Sequence, residues 1–152
     1  MFYLISAFIV FLDFISKMAV QQTLPQGEIV EVTPFFNIVF LMNKGISFSL
    51  FNSGTAGMVW ILTIISLTLS VMVAIWLYRE KNTLIRTGLC LILGGAIGNL
   101  LDRIRFGSVV DFLDFHLGTH HWPAFNVADS AVCIGVFLII VQSLFKKKEN
   151  KK

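Results

Sequence analysis

Long apolar runs alternate with short polar stretches along this 152-residue chain. A helix that crosses the ~30 Å hydrocarbon layer of a membrane needs about 20 predominantly apolar residues. Four segments approach this length, namely Phe2–Val20, Ala56–Tyr78, Leu84–Leu101 and Val127–Phe145. The pattern therefore predicts an all-α polytopic membrane protein in which residues 1–152 form one domain around four transmembrane helices.

Residues 27–51, between the first two predicted helices, follow a different pattern. They are rich in β-branched and aromatic residues, are broken by Gly27 and Pro34, and partly alternate polar with apolar positions. Such alternation is typical of a small sheet with one apolar face. The sheet would rest on a lipid layer or an acyl chain, or would be a small extracytoplasmic subdomain with its own packing. The phenylalanines concerned are Phe35, Phe36, Phe40, Phe48 and Phe51.

The distribution of charge predicts how the chain is oriented in a membrane. Basic residues concentrate in residues 79–86 and 146–152, whereas residues 21–55 and 102–124 carry more acidic than basic side chains. Because positively charged segments stay in the cytoplasm, both termini are expected inside and the acidic segments outside. Topology and contact with anionic membrane lipid therefore explain the net charge of +3, and no nucleic-acid partner is expected.

The first helix is expected to remain in the protein, because it lacks the basic n-region of a signal peptide and contains Asp13 and Lys17. These two residues lie one helical turn apart and predict an ion pair, which either neutralises itself inside the bundle or supports a site. Cys90 and Cys133 fall within predicted spans, so we interpret them as packing residues rather than as a disulfide or a zinc site.

The position of the aspartates is the strongest functional signal. Asp13, Asp102, Asp111 and Asp129 lie within or beside predicted spans, where an unpaired carboxylate costs several kcal/mol. The contexts of Asp111 and Asp129 are distinctive, and two carboxylates on one side of a membrane protein suggest acid-base chemistry. A helix-end charge is the alternative for Asp129, because it follows the N-cap residue Asn126 by three positions.

Three other features have less specific interpretations. The small residues of 94–98 predict close helix packing, and Asp102 beside Arg103 predicts a supporting ion pair where the third helix ends. The three histidines His116, His120 and His121 are expected in a wet interfacial loop with Trp122, because no metal-binding spacing is present.

Four motifs together resemble the bacterial lipoprotein signal peptidase family, also called signal peptidase II. They are Asp13-Phe14-Ile15-Ser16-Lys17, residues 43–49 beginning Asn-Lys-Gly, residues 94–112 from Gly94-Gly95 to Asp111-Phe112, and residues 125–130 around Asn126 and Asp129. Each motif alone is weak, but their order and spacing within four spans are specific. Two positions depart from the family pattern: Phe14 replaces a usual Gln, and Ile46-Ser47 replaces Ala-Ala.

The resemblance implies four helices with an outer β-cradle in the bacterial cytoplasmic membrane, and an aspartyl endopeptidase that needs no metal or cofactor. Its substrate would be a diacylglyceryl-modified prolipoprotein, cut just before the lipidated Cys, and we expect the enzyme to act as a monomer. The resemblance makes Asp111 and Asp129 the catalytic pair. It gives substrate-binding or supporting roles to Asp13, Lys17, Asn43, Gly95, Asn99, Asp102, Arg103 and Asn126.

Two other functions are compatible with intramembrane carboxylates. A small proton- or cation-coupled transporter would use them as a relay, but such proteins usually show internal repeats and charges spread across the membrane, which this sequence lacks. A non-catalytic assembly protein would leave the outward carboxylates without a role. Both alternatives are therefore weaker than the peptidase.

Overall fold

Four helices and four strands make up the part of the chain that the computed structural model describes, residues 2–45 and 56–149. In chain order they are α1 (Tyr3–Thr23), β1 (Ile29–Thr33), β2 (Phe36–Asn43), α2 (Ala56–Arg79), α3 (Thr83–Phe106), β3 (Val109–Leu117), β4 (His120–His121) and α4 (Val127–Glu149).

Each of the four helices contains a stretch long and apolar enough to cross a membrane, which confirms that prediction. Helix α3 is the centre of the bundle, since it packs against α1, α2 and α4. Half of its membrane-length stretch is buried, compared with 22% or less in the other three helices. The outer helices therefore present apolar side chains to their surroundings, as a bilayer requires.

Small residues on α3 allow its neighbours to approach closely, as the pattern at residues 94–98 predicts. A Cβ at Gly94 would lie 2.8 Å from the Ser6 carbonyl oxygen of α1, and one at Gly95 would collide with the Ala128 carbonyl oxygen of α4. Farther along the same interface, a Cβ at Gly88 would lie 2.7 Å from the carbonyl oxygen of Gly135. Backbone therefore packs against backbone on two sides of α3.

The predicted end of the third helix at Leu101 was wrong. Helix α3 continues to Phe106 and ends at Gly107, which has the left-handed backbone conformation (φ 67°) of a helix C-terminus. The polar residues after Leu101 suggested an interface, but the carboxylate of Asp102 pairs with Lys17 inside the bundle. A neutralised charge does not have to end a buried helix.

The sheet is larger than predicted, because the acidic segment of residues 102–124, whose histidines were expected in a loop, contributes two strands. The four strands form one antiparallel sheet in the order β1-β2-β3-β4. Strand β3 pairs with β2, and Leu41 lies opposite Asp111. The histidines also belong to this region, since His116 of β3 pairs with His121 of β4. Acidic residues within 109–117 hid the strand, although its remaining residues are mostly β-branched, aromatic or leucine.

Some aromatic side chains of the sheet pack against one another, and others are exposed. The ring of Phe115 lies 4.7 Å from that of Phe36 and 5.9 Å from that of Phe125, which favours packing within the subdomain for these residues. Phe35 is more than half exposed. Phe48 and Phe51 lie outside the described residues.

Replacing Gly95 by Ala is expected to destabilise the fold. The added methyl group would collide with the Ala128 carbonyl oxygen and approach Val132 to 2.8 Å, and overpacking of this kind costs about 1–3 kcal/mol. Thermal unfolding in detergent measures the loss. Gly57→Ala is the matched control, because no described atom lies within 4 Å of its added methyl group. Equal unfolding temperatures for both variants would contradict the packing interpretation.

Candidate active site

Asn126 joins the two aspartates that the sequence singles out. Its side-chain nitrogen donates a hydrogen bond of 2.8 Å to Asp111 Oδ1, and its backbone N–H donates one of 3.3 Å to Asp129 Oδ2. Asn126 is fully buried at the junction of β3 and α4. The fold thus brings together two carboxylates that are eighteen positions apart in sequence.

Asp129 is positioned by the first turn of α4. The backbone N–H of Asp129 donates to Asn126 Oδ1 at 2.9 Å, while its carboxylate accepts the Asn126 N–H, which makes a reciprocal capping arrangement. Its other oxygen accepts a hydrogen bond of 2.7 Å from the side chain of Asn99. Hydrogen-bond donors therefore contact both oxygens of this carboxylate, which lies at the positive end of the helix dipole.

Asp111 lies in strand β3 and is only 3% exposed. Asn43 of β2 donates to its Oδ2 at 2.8 Å, and the amide of Asn43 is oriented because its oxygen accepts the N–H of Gly45. Burial raises the pKa of the Asp111 carboxyl to about 6, and the nearby charge of Asp129 acts in the same direction. The hydrogen bonds from Asn43 and Asn126 oppose this rise. Asp111 is consequently a carboxyl group that keeps a proton in mildly acidic solution.

Asn99 of α3 connects this pair of carboxylates to a buried ion cluster. Its side-chain nitrogen donates to Asp129, and its oxygen accepts hydrogen bonds from Lys17 Nζ at 3.1 Å and from Asn126 at 3.2 Å. Because donors on both sides occupy the oxygen, the orientation of the Asn99 amide is fixed.

The cluster itself consists of Lys17, Asp13 and Asp102. The Lys17 ammonium lies 2.7 Å from Asp13 Oδ2 and 2.8 Å from Asp102 Oδ2, and all three side chains are buried. Together with the bond to Asn99, these contacts use all three donors of the ammonium group. The ion pair between Asp13 and Lys17 is formed as predicted, and Asp102 is a third member that spacing alone does not identify.

Both carboxylates of the cluster also hold backbone near the two central aspartates. Asp13 Oδ1 accepts the N–H of Ala128 at 2.9 Å, one residue before Asp129. Asp102 Oδ2 accepts the N–H of Val110 at 3.1 Å, one residue before Asp111. Sequence reasoning missed Val110 and Ala128, because an apolar residue that contributes only its backbone leaves no chemical signal.

The remaining predicted site residues lie around this network. Arg103 Nη1 donates to the backbone oxygen of Asn99 at 3.4 Å, and Gly95 permits the close contact of α3 with the start of α4. The side chain of Phe14 is 43% exposed and contributes no polar group to the cluster. The other departure, Ile46-Ser47, lies outside the described residues.

Asp114 belongs to a separate cluster farther along β3. It accepts hydrogen bonds of 2.9 Å from Asn37 Nδ2 and from His121 Nδ1, and the ring of His116 stacks on that of His121. Burial alone would raise the pKa of Asp114, but the hydrogen bonds from His121 and Asn37 outweigh it and hold that pKa below its usual range. No group of three His, Cys, Asp or Glu side chains within residues 2–45 and 56–149 is arranged to hold a metal ion.

Comparison with known proteins shows which family has a similar sequence. A family model described as signal peptidase (SPase) II matches residues 5–145. The lipoprotein signal peptidase of Janthinobacterium sp. (strain Marseille) is 44% identical over 141 residues, which cover 92% of this chain and 86% of that protein. The lipoprotein signal peptidase of Shewanella halifaxensis is 39% identical over 142 residues, covering 92% and 84%.

The fold is similar to that of solved membrane proteins. A bacterial membrane enzyme determined by the in meso method at 2.3 Å resolution superimposes with a TM-score of 0.80 at 35% identity, covering 98% of this chain and 90% of that one. A second such structure, at 1.9 Å resolution, gives a TM-score of 0.79. None of these similarities supports a transporter. Since the family model matches nearly the whole chain, the chain belongs to the signal peptidase II family of aspartic-type peptidases.

Proposed function

We propose that this protein is an intramembrane aspartyl endopeptidase that removes the signal peptide of diacylglyceryl-modified prolipoproteins, cutting before the lipidated Cys. Asp111 and Asp129 are its catalytic pair. The observation that carries the proposal is their joint attachment to Asn126, one in a strand and one at a helix N-terminus. Membership of the family, whose relatives are named lipoprotein signal peptidases, supports the substrate class.

The different surroundings of the two carboxylates suit them to different steps. Asp129, surrounded by donors, acts as the ionised base and takes a proton from a water molecule whose oxygen attacks the scissile carbonyl carbon. Asp111 keeps its proton, donates a hydrogen bond to the carbonyl oxygen, and then transfers the proton to the leaving amine. The pair then still holds one proton: Asp129 carries the one taken from water, and Asp111 has given its own to the amine. Transfer of that proton from Asp129 to Asp111 restores the starting state, and the scheme requires no metal or organic cofactor.

The other polar residues of the site would position this pair. Asn43 holds the carboxylate of Asp111, Asn99 holds that of Asp129, and Asn126 donates to both. The ion cluster of Asp13, Lys17 and Asp102 fixes the backbone before each aspartate.

We further propose the orientation that the charge distribution predicts. The basic turn between α2 and α3 and the two termini would face the cytoplasm of a bacterial cell, and the sheet with Asp111 would lie near the outer face of the inner membrane. This position matches a substrate whose signal helix spans the membrane and whose lipidated Cys lies at the outer interface. A monomer contains every residue of the proposed site.

The protein should cleave a precursor whose Cys carries a diacylglyceryl group at least tenfold faster than the same precursor without lipid. Acyl chains confine the Cys to the depth of the site, and each buried methylene group contributes ~0.8 kcal/mol of binding. Mass spectrometry of the products of the detergent-purified protein measures both rates. Cleavage of neither precursor would reject the proposed function, and equal rates would reject the lipid requirement alone.

Asp111→Asn and Asp129→Asn should each reduce the cleavage rate by at least about 10²-fold, because each change removes a proton-transfer group while preserving shape. Thermal unfolding in detergent would check that both variants remain folded. The matched control is Asp114→Asn, which alters a buried carboxylate three residues along β3 and outside the site. A variant at Asp111 or Asp129 with more than about a tenth of the wild-type rate would remove that residue from the proposed pair.

The pH dependence of cleavage should change when Asn43 is replaced by Ala. Since Asp111 must hold a proton, kcat/KM is expected to fall as pH rises through about 6, where that proton is lost. Asn43 stabilises the ionised carboxylate, so its removal should move this alkaline limb upward by about one pH unit.

Asn37→Ala is the control for this measurement, because the same type of side chain on the same strand bonds Asp114 instead. Asp111 would not be the group that titrates if the pH at which kcat/KM falls is unchanged in Asn43→Ala. The same conclusion would follow if this pH shifts equally in Asn37→Ala.

A further inference from the structure

A cavity of about 290 Å³ lies between the beginning of α2 and the end of α3. Its walls are formed by three residues of α2, by two residues of α3 and by the glycine that ends α3: Val59, Trp60, Thr63, Arg103, Ile104 and Gly107. Trp60 and Ile104 are 64% and 62% exposed on the surface of their membrane-length helices. The cavity therefore opens towards the lipid side of the bundle.

Arg103, in one wall of this cavity, is connected to the proposed catalytic pair through hydrogen bonds. Arg103 donates to the backbone oxygen of Asn99, whose side chain donates to Asp129. The guanidinium group also lies within electrostatic reach of Asp111 and Asp129. A molecule that occupied the cavity would consequently touch a residue adjacent to the site.

The lining has the chemistry of an amphiphile-binding site. Val59, Trp60 and Ile104 offer apolar surface, and the hydroxyl of Thr63 is already bonded to the Val59 carbonyl at 2.7 Å. Among the six lining residues, Arg103 supplies the charged donors, and its bond to Asn99 uses one of five N–H groups, while the indole of Trp60 carries one further N–H. An occupant should combine an apolar chain with a hydrogen-bond-accepting head, as an acyl ester does.

We propose that this cavity, between α2 and α3, holds the ester head and the first part of one acyl chain of the lipidated Cys in the substrate. The inference rests on the proposed function and assigns the lipid to a place in the fold. Arg103 faces the ester carbonyl, whereas Val59, Trp60 and Thr63 form the wall for the chain.

Distance distinguishes this cavity from a larger one. The scissile bond ends at the nitrogen of the lipidated Cys, and about seven bonds separate that nitrogen from an ester carbonyl, so the ester lies within about 10 Å of the pair. A cavity of about 500 Å³ is lined by Phe115, Trp122 and neighbouring residues. Phe115 is four positions from Asp111, or about 13 Å along the strand. The larger cavity is too distant for the ester head.

Filling the smaller cavity tests the proposal. Val59→Phe and Thr63→Phe would each place a ring in it, and Ile64→Phe is the matched control because Ile64 is 60% exposed on the same helix and does not line the cavity. The substrates are one precursor whose Cys carries either dihexadecanoylglyceryl or diacetylglyceryl. Both have the esters, but only the first has long chains.

The wild-type protein and Ile64→Phe should prefer the long-chain substrate at least tenfold in kcat/KM, a ratio that about two buried methylene groups suffice to give. In Val59→Phe and Thr63→Phe this preference should fall at least tenfold, mainly through a higher KM for the long-chain substrate, because the ring takes the space of the chain. Thermal unfolding in detergent reports whether each variant is folded.

Two results would overturn the acyl site. One is an unchanged chain-length preference in both filled variants, and the other is a wild-type protein without any preference. Failure of the proposed function is distinguishable, because the wild-type protein would then cleave neither substrate.

Discussion

A single buried ammonium group between two carboxylates is the interaction on which the site depends. Lys17 is only 3% exposed, and its ammonium group lies within hydrogen-bonding distance of Asp13 and Asp102. The other buried residues of the bundle are mostly apolar or small. Burying three charges is costly, and such a cluster persists only when every donor and acceptor is paired. Here the pairing is completed by two backbone N–H groups, those of Ala128 and Val110. The cluster therefore holds the first turn of α4 and the beginning of β3 against the bundle.

The same constraint explains why Asp111 and Asp129 differ. Asp129 follows Ala128 in the first helical turn, where its carboxylate accepts hydrogen bonds from a backbone N–H and an amide at the positive end of the helix dipole. Asp111 follows Val110 in a strand, where burial dominates and raises the pKa of its carboxyl group to about 6. Two carboxylates with different environments can divide acid and base roles between them.

The sequence indicates the parts of this arrangement that depend on local spacing. Four apolar runs predict the helices, and the i, i+4 spacing predicts the ion pair of Asp13 and Lys17. Strand β3 was missed because its acidic residues interrupt a β-like pattern, and because its partner β2, which lies about seventy residues away, gives no local signal of the pairing. The contact of Lys17 with Asp102 was missed for the same reason, so the end of α3 was placed too early.

The glycines of α3 show that helix packing and electrostatics form one constraint. A small-residue pattern is by itself only weak evidence for close helices. In this fold, a Cβ at Gly98 would lie 2.6 Å from Asp13 Oδ2, in the space of the carboxylate that pairs with Lys17. A Cβ at Gly95 would push away the backbone of Ala128, which donates to the same carboxylate. A larger residue at either position would therefore separate the helices and also remove a partner from a buried charge. The absence of side chains at these two positions is thus as necessary to the site as the charged groups themselves.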